Sequence, residues 1–322
     1  MTAAASHPRP AEAPAAAPPR PDPPGRAAPG APVLDVAAMA TPPPLVEIAD
    51  LRVAFPSPSG PVPAVRGVSM AIAARERLGV VGESGSGKSV TGRALMRLLP
   101  PQATVEAAAL RFDATDIRAA SERDMRAIRG GRIGLVLQDP KFSLNPVMTA
   151  GAQVAEALRR HRRNTGVREA REAALALLES VLIRDPKRVL DAYPHELSGG
   201  MGQRVMIAMM LAPGPDLLIA DEPTSALDAT VQAEILRLIE RLAEERGMAL
   251  MLISHDLPLV ARHCDRVAVM YAGRVVETLP ARDLRARAAH PYTRGLLDCL
   301  PTLAHRRDRL PTLTRDPSWL SA

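Results

Sequence analysis

The chain has 322 residues, a formal net charge of +6 and a pI near 10.0, with 47% hydrophobic but only 2% aromatic residues. That length holds one large domain or two small ones, and the core has to be aliphatic. Its two cysteines, Cys264 and Cys299, exclude a disulfide framework and a four-thiolate metal site, and no basic run interleaved with aromatics offers bases a stacking platform.

The excess positive charge is nearly all arginine, and the cluster Arg159, Arg160, His161, Arg162 and Arg163 reads as a solvated helix end rather than a DNA contact. Cysteine this sparse suits a reducing, cytosolic setting. Residues 1–43 are rich in proline and alanine without periodicity, which predicts disorder. They lack the continuous apolar core of a secretory signal. The most apolar window, Val205 to Ala220, is interrupted by Pro213, Gly214, Pro215 and Asp216, so the chain itself is not expected to cross a membrane.

The runs 45–48, 51–55 and 68–72 predict strands, with a Pro/Ser/Gly loop from Pro56 to Pro63. Phe55 fits either core or site, and periodicity does not separate the two. The short apolar run Leu78 to Val81 then leads into Gly82-Glu83-Ser84-Gly85-Ser86-Gly87-Lys88-Ser89, which fits the phosphate-cradling pattern G-x-x-x-x-G-K-[ST]. A helix-compatible run from Val90 to Leu99 follows. Strand, glycine-rich turn and helix in that order place successive backbone N–H groups and the positive helix end around an anion. Lys88 is then expected to reach the outer phosphates and the Ser89 hydroxyl to ligate Mg²⁺. Lysine occurs only at positions 88, 141 and 187, which argues against a chance match.

Three later apolar runs each end in polar groups: 133–137 at Gln138, 217–220 at Asp221-Glu222, and 249–253 at Ser254-His255. Unalternating runs of this length suit strands of a parallel sheet buried on both faces. Ligands of such sheets sit beyond the carboxyl ends of the strands, so the phosphate turn, Gln138, Asp221, Glu222 and His255 are expected along one edge. Asp221 stands where a carboxylate supports Mg²⁺ in phosphate-loop enzymes. Glu222 could orient or deprotonate an attacking water. Gln138 could contact both metal and water, and His255 could hold a terminal phosphate or the water.

Between Gln138 and Asp221 the pattern turns helical, with Ala170, Ala174, Leu177, Leu178 and Val181 at helical spacing. Ser198 followed by Gly199 and Gly200 opens another apolar helix and makes a second anion-binding helix end. One nucleotide has no evident need of two such ends. Asp228 caps a predicted helix from Ala229 to Arg246, which Gly247 stops. A hairpin about Tyr271-Ala272-Gly273 and a short helix within 290–300 complete the pattern.

In this order the motifs resemble the nucleotide-binding subunits of ABC transporters, over roughly Leu45 to Leu300. Residues 82–89 look like the Walker A loop, Gln138 the Q-loop glutamine, and Leu197 to Arg204 the signature motif. Residues 217–222 look like the Walker B strand, Ser225 to Asp228 the D-loop, His255 the switch histidine, and Phe55 the aromatic that stacks on adenine. The resemblance implies an α/β phosphate-loop cassette with a RecA-like core, an antiparallel β subdomain and a helical subdomain at about 144–205. The cassette would span 44–278, with a C-terminal extension at 279–322.

The resemblance also implies ATP and Mg²⁺, the latter held by Ser89, Gln138 and Asp221. Two cassettes, copies or paralogues, would associate head to tail, so that Ser198, Gly199 and Gly200 act on the partner's γ-phosphate, and Asp228 of the D-loop is a further nucleotide-binding candidate. Two membrane-spanning permease subunits, an extracytoplasmic binding protein and a place on the cytoplasmic face of the membrane complete the implied assembly, with no nucleic acid. The stretch from Gln138 to Thr149 and the sequence His290-Pro291-Tyr292-Thr293 look like the dipeptide, oligopeptide and nickel importer group. That leaves peptide or nickel and other small-solute import as alternatives. A soluble cassette ATPase acting on nucleic acid or ribosomes is a third, although no tandem cassette or zinc insertion is visible. Gly202 departs from the arginine usual in the signature, and the cysteine-rich C-terminal segment of many peptide-importer ATPases is missing.

Overall fold

The computed structural model describes residues 43–137, 143–162, 164–225 and 227–300, together with Leu313, Asp316 and Trp319. The disorder expected at 1–43 falls outside this set except for Pro43, and so does Gln138.

The first strand, β1 (Val46–Phe55), joins both short strands expected from the sequence. The gap between them is a bulge. Pairing with β2 (Val62–Ile72) shifts register between Ile48 and Leu51, and Asp50 takes φ 47°. One extra residue changes the parity of the strand, so Val46 and Ile48 before it and Leu51 and Val53 after it are all buried. β2 starts earlier than expected, because Val62 and Pro63 pair with Phe55 and Ala54.

The chain next enters a second sheet through β3 (Arg77–Val81) and α1 (Lys88–Leu95). α1 ends before Leu99, since Arg97 turns left-handed at φ 50° and two prolines follow. Three short strands, β4 (Thr104–Glu106), β5 (Ala109–Phe112) and β6 (Thr115–Asp116), return to the first sheet. Its order is β2-β1-β5-β6, with β4 also on β1. The sequence carries no clear signal for strands of two to four residues, nor for α2 (Glu122–Ile128) beyond its Ser121 cap.

After β7 (Ile133–Val136) come four helices, α3 (Ala150–His161), α4 (Val167–Ser180), α5 (Pro186–Asp191) and α6 (Gly199–Leu211). They pack on one another through Val154, Ala170, Ala174, Leu178 and Val205, all fully buried. Arg159 and Arg160 lie in the last turn of α3, where cations favour the helix dipole.

β8 (Leu217–Asp221), α7 (Ala229–Arg246), β9 (Ala249–Ser254), α8 (Leu257–His263), β10 (Arg266–Tyr271) and β11 (Arg274–Pro280) finish the second sheet. α9 (Leu284–Arg287) and α10 (Pro291–Asp298) follow. The sheet order is β11-β10-β3-β9-β8-β7, parallel throughout except that β11 runs antiparallel to β10. Its central strands β3, β8 and β9 read as nearly unbroken apolar runs because both faces are covered. Leu217 and Ile219 of β8 join the core shared with the antiparallel sheet, while Leu218 and Ala220 join the core shared with the helices. Among the described residues, no helix is long and apolar enough to cross a membrane.

Candidate functional site

β3 is buried from Leu78 to Val81 and ends against the central strands, so Gly82 emerges at the carboxyl edge of the sheet. A Cβ on Gly82 would stand 2.1 Å from the Met270 carbonyl oxygen, and only glycine allows the loop to lie that close to β10. Gly87 is the N-cap of α1 with φ 97°, and a Cβ there would meet the Ala64 carbonyl at 2.6 Å. The loop folds around its own lysine. Lys88 Nζ donates to the carbonyls of Gly82 and Glu83, each at 2.8 Å. Burial lowers the Lys88 pKa, against the pull of Glu222, Asp221 and Glu83. A desolvated ammonium beside a helix N-terminus is a receptor for an anion.

The Ser89 hydroxyl donates to Asp221 Oδ1 at 2.6 Å. Asp221 is the buried last residue of β8, and Arg93 Nη2 lies 3.6 Å from its other oxygen. A hydroxyl and a carboxylate this close are hard oxygen donors suited to Mg²⁺, which takes few protein ligands and fills its octahedron with phosphate oxygens and water. Among the described residues no cluster of three or more His, Cys, Asp or Glu could hold a metal ion.

Glu222 leaves the strand at φ 49°, a left-handed conformation that is uncommon outside glycine. Its N–H donates to the Ile253 carbonyl at 3.0 Å, which holds that turn against β9. Its carboxylate then lies 3.4 Å from His255 Nδ1. Glu222 is mostly covered while His255 is 59% exposed, so the histidine can approach a ligand that the glutamate already faces.

A cleft of about 680 Å³ opens along this edge, lined among others by Ser84, Gly85, Lys88, Ser89, Asp221 and Glu222. That volume lies in the usual range of ligand pockets. Three of the four expected strand ends thus meet at one place. The fourth, Gln138, lies outside the described residues, although Leu137 before it lines the cleft. Gly82, Glu83, Ser86, His255, Ser198, Gly199, Gly200, Asp228 and Phe55 are not among its lining residues, and His255 adjoins it through its contact with Glu222.

Ser198 caps α6 by accepting from the Met201 N–H at 3.4 Å. A Cβ on Gly200 would stand 2.9 Å from Val231 Cγ1. Asp228 Oδ1 accepts from the N–H groups of Thr230 and Val231, as a cap of α7. Phe55 packs half-buried against the antiparallel core. Elsewhere, His263 Nδ1 is tied to Glu240 at 2.7 Å, and burial pushes the Cys264 thiol up to about 12.

Sequence reasoning missed Arg93, Ser143 and Tyr292. Arg93 sits four residues after Ser89 on α1, a spacing that puts both on one helix face. Ser143 lines the cleft from a segment without periodic signal. Tyr292 reaches the phosphate loop from 209 residues away, accepting from the Glu83 N–H at 3.1 Å.

The family described as ABC transporter matches residues 65–225, and that described as oligopeptide/dipeptide transporter, C-terminal region, matches residues 276–320. The chain is 50% identical over 271 residues to a probable peptide ABC transporter ATP-binding protein of Sinorhizobium fredii, covering 84% of this chain and 81% of that one. It is 46% identical over 270 residues to the dipeptide transport ATP-binding protein of Escherichia coli, covering 84% and 82%. A solved dimeric ATP-binding cassette in a post-hydrolysis state, bound to ADP and Pi, aligns with a TM-score of 0.66 at 28% identity, over 74% of this chain and 99% of that one. With its phosphate loop, Ser89–Asp221 pair and Glu222–His255 pair on one sheet edge, the chain belongs to the ABC transporter family as an ATP-binding subunit.

Proposed function

We propose that the chain binds and hydrolyses ATP to power a peptide importer. The observation that carries the reading is the convergence of Lys88, the Ser89–Asp221 hydrogen bond of 2.6 Å and Glu222 on one cleft, with His255 3.4 Å from the Glu222 carboxylate. The peptide half rests on the similarity to peptide-import ATP-binding proteins, which extends through the C-terminal region.

In this reading the N–H groups of residues 84–89 and the α1 terminus cradle the phosphates. Lys88 exchanges its bonds to the Gly82 and Glu83 carbonyls for phosphate oxygens. Ser89 and Asp221 would hold Mg²⁺, which would supply Lewis-acid stabilisation of charge on the phosphate oxygens. Glu222 orients the attacking water and accepts its proton. His255 stands on the open side of Glu222 and fixes the carboxylate and the terminal phosphate together. Gln138, outside the described residues, would contact both Mg²⁺ and water.

Ser198, Gly199 and Gly200 present the α6 N-terminus outward, to the nucleotide of a second cassette, with Asp228 beside them. Phe55 contributes its ring to adenine. The second cassette is a copy or a paralogue, and the pair docks on two permease subunits at the cytoplasmic face of the membrane, which receive peptide from an extracytoplasmic binding protein.

Glu222→Gln tests the chemistry. ATP binding should persist while turnover falls by about 10²–10⁴-fold, and an ATP-bound dimer should accumulate on size exclusion. Turnover at the wild-type rate would remove Glu222 from the proton-accepting role.

A further inference from the structure

The tail beyond the last strand is built into the phosphate loop. β11 carries Glu277, whose carboxylate accepts from the N–H groups of Ala289 at 2.6 Å and His290 at 3.3 Å. His290 caps α10 through Nδ1, which accepts from the Tyr292 N–H at 3.1 Å, while its Nε2 lies 3.2 Å from the Trp319 carbonyl. These bonds fix Tyr292, which has no exposed surface, on the side of the loop formed by β10. There its ring lies 4.5 Å from Tyr271 and 5.6 Å from Trp319, and Tyr271 and Trp319 are 5.5 Å apart. In a chain with 2% aromatic residues and one tryptophan, three aromatics gathered at one point are a built feature.

The hydroxyl at the centre of this cluster accepts from the Glu83 N–H at 3.1 Å, and the Glu83 carbonyl accepts from Lys88 Nζ at 2.8 Å. One residue of the loop is therefore held on one side by the tail and on the other by the lysine expected on the phosphates. The loop is also tied to the β10–β11 hairpin, where the Gly273 N–H donates to the Ser86 carbonyl at 3.1 Å.

We infer that Tyr292 is a positioning residue for the phosphate loop, and that Trp319 is coupled to nucleotide binding by the chain Trp319–Tyr292–Glu83–Lys88. The inference rests on the ATP-binding reading above. The Glu83 carbonyl also accepts from the Ser86 N–H at 3.1 Å, so when Lys88 leaves it for a phosphate the peptide stays in place with one donor fewer, and the change passes through that peptide to the Tyr292 hydroxyl on its N–H. By reciprocity of coupled sites, Trp319 packed against Tyr292 favours the loop conformation that binds nucleotide.

The test uses the full chain and its single tryptophan. Adding Mg-ATP to the wild type should change Trp319 emission saturably, with a midpoint at the ATP dissociation constant. Tyr292→Phe keeps the ring and removes the acceptor; it should raise KM for ATP about fivefold, the worth of one neutral hydrogen bond. Its kcat should stay within about twofold of wild type, because the hydroxyl touches no reacting atom, and the emission response should be lost. Glu277→Ala, which frees the tail without touching the loop, should raise KM in the same direction. A Tyr292→Phe protein with wild-type KM, or with an undiminished Trp319 response, overturns the inference. Failure of the wild type to bind ATP overturns the function reading itself, and the inference with it.

Discussion

The two helix ends shaped for anions, at α1 and at α6, are built in opposite ways. α1 starts at a glycine with no side-chain cap, so its first N–H groups remain for a ligand, and the loop before it wraps a buried lysine. Carboxylates from β8 and from the turn after it stand opposite, across a cleft. α6 starts at Ser198, whose own hydroxyl accepts one of the terminal N–H groups; Ser198 and Gly199 are exposed, and none of 198–200 lines the cleft. One end has the chemistry of a binding site assembled within the chain. The other is a surface with the chemistry of half a site, which is what a head-to-tail pair of cassettes would use.

Three substitutions sharpen or break that contrast. Lys88→Ala removes the cation of the complete site, and ATP affinity should fall about 100-fold, as expected for losing a charge-assisted contact. A titration with a fluorescent ATP analogue measures it, and unchanged affinity would sink the phosphate-loop assignment. Ser198→Ala acts at the other end. ATP affinity of the single chain should stay at the wild-type value, while turnover of the assembled transporter falls about tenfold through loss of a hydrogen bond to charged phosphate. A drop in single-chain affinity would mean that the α6 end serves its own nucleotide and that the contrast is false. Phe55→Ala is the mildest. Its half-buried ring should cost about 1–2 kcal/mol of stability by lost apolar burial, read in a urea melt. ATP affinity should fall about threefold; loss of stability at full affinity would make Phe55 core alone.

These tests also separate what was legible in the chain from what was not. Short-range chemistry was legible. The 82–89 pattern, the apolar runs ending at Asp221 and Ser254, and the Asp228 cap with its Gly247 stop are local, because loop conformation, strand burial and capping depend on residues a few positions apart. The convergence of strand ends was legible too, since parallel sheets place their ligands at one edge.

Elements whose signal is not periodic were not legible. The bulge at Asp50 split one strand into two because it reverses the parity on which a strand is read, and β4 to β6 are too short for any period to register. The tertiary structure alone decided that Glu222 turns left-handed to face His255, because the carbonyl of Ile253 in another strand holds that turn. It alone brought Tyr292 to Glu83, since a hydrogen bond across 209 residues depends on how β10, β11 and α10 pack, and no local pattern encodes that distance.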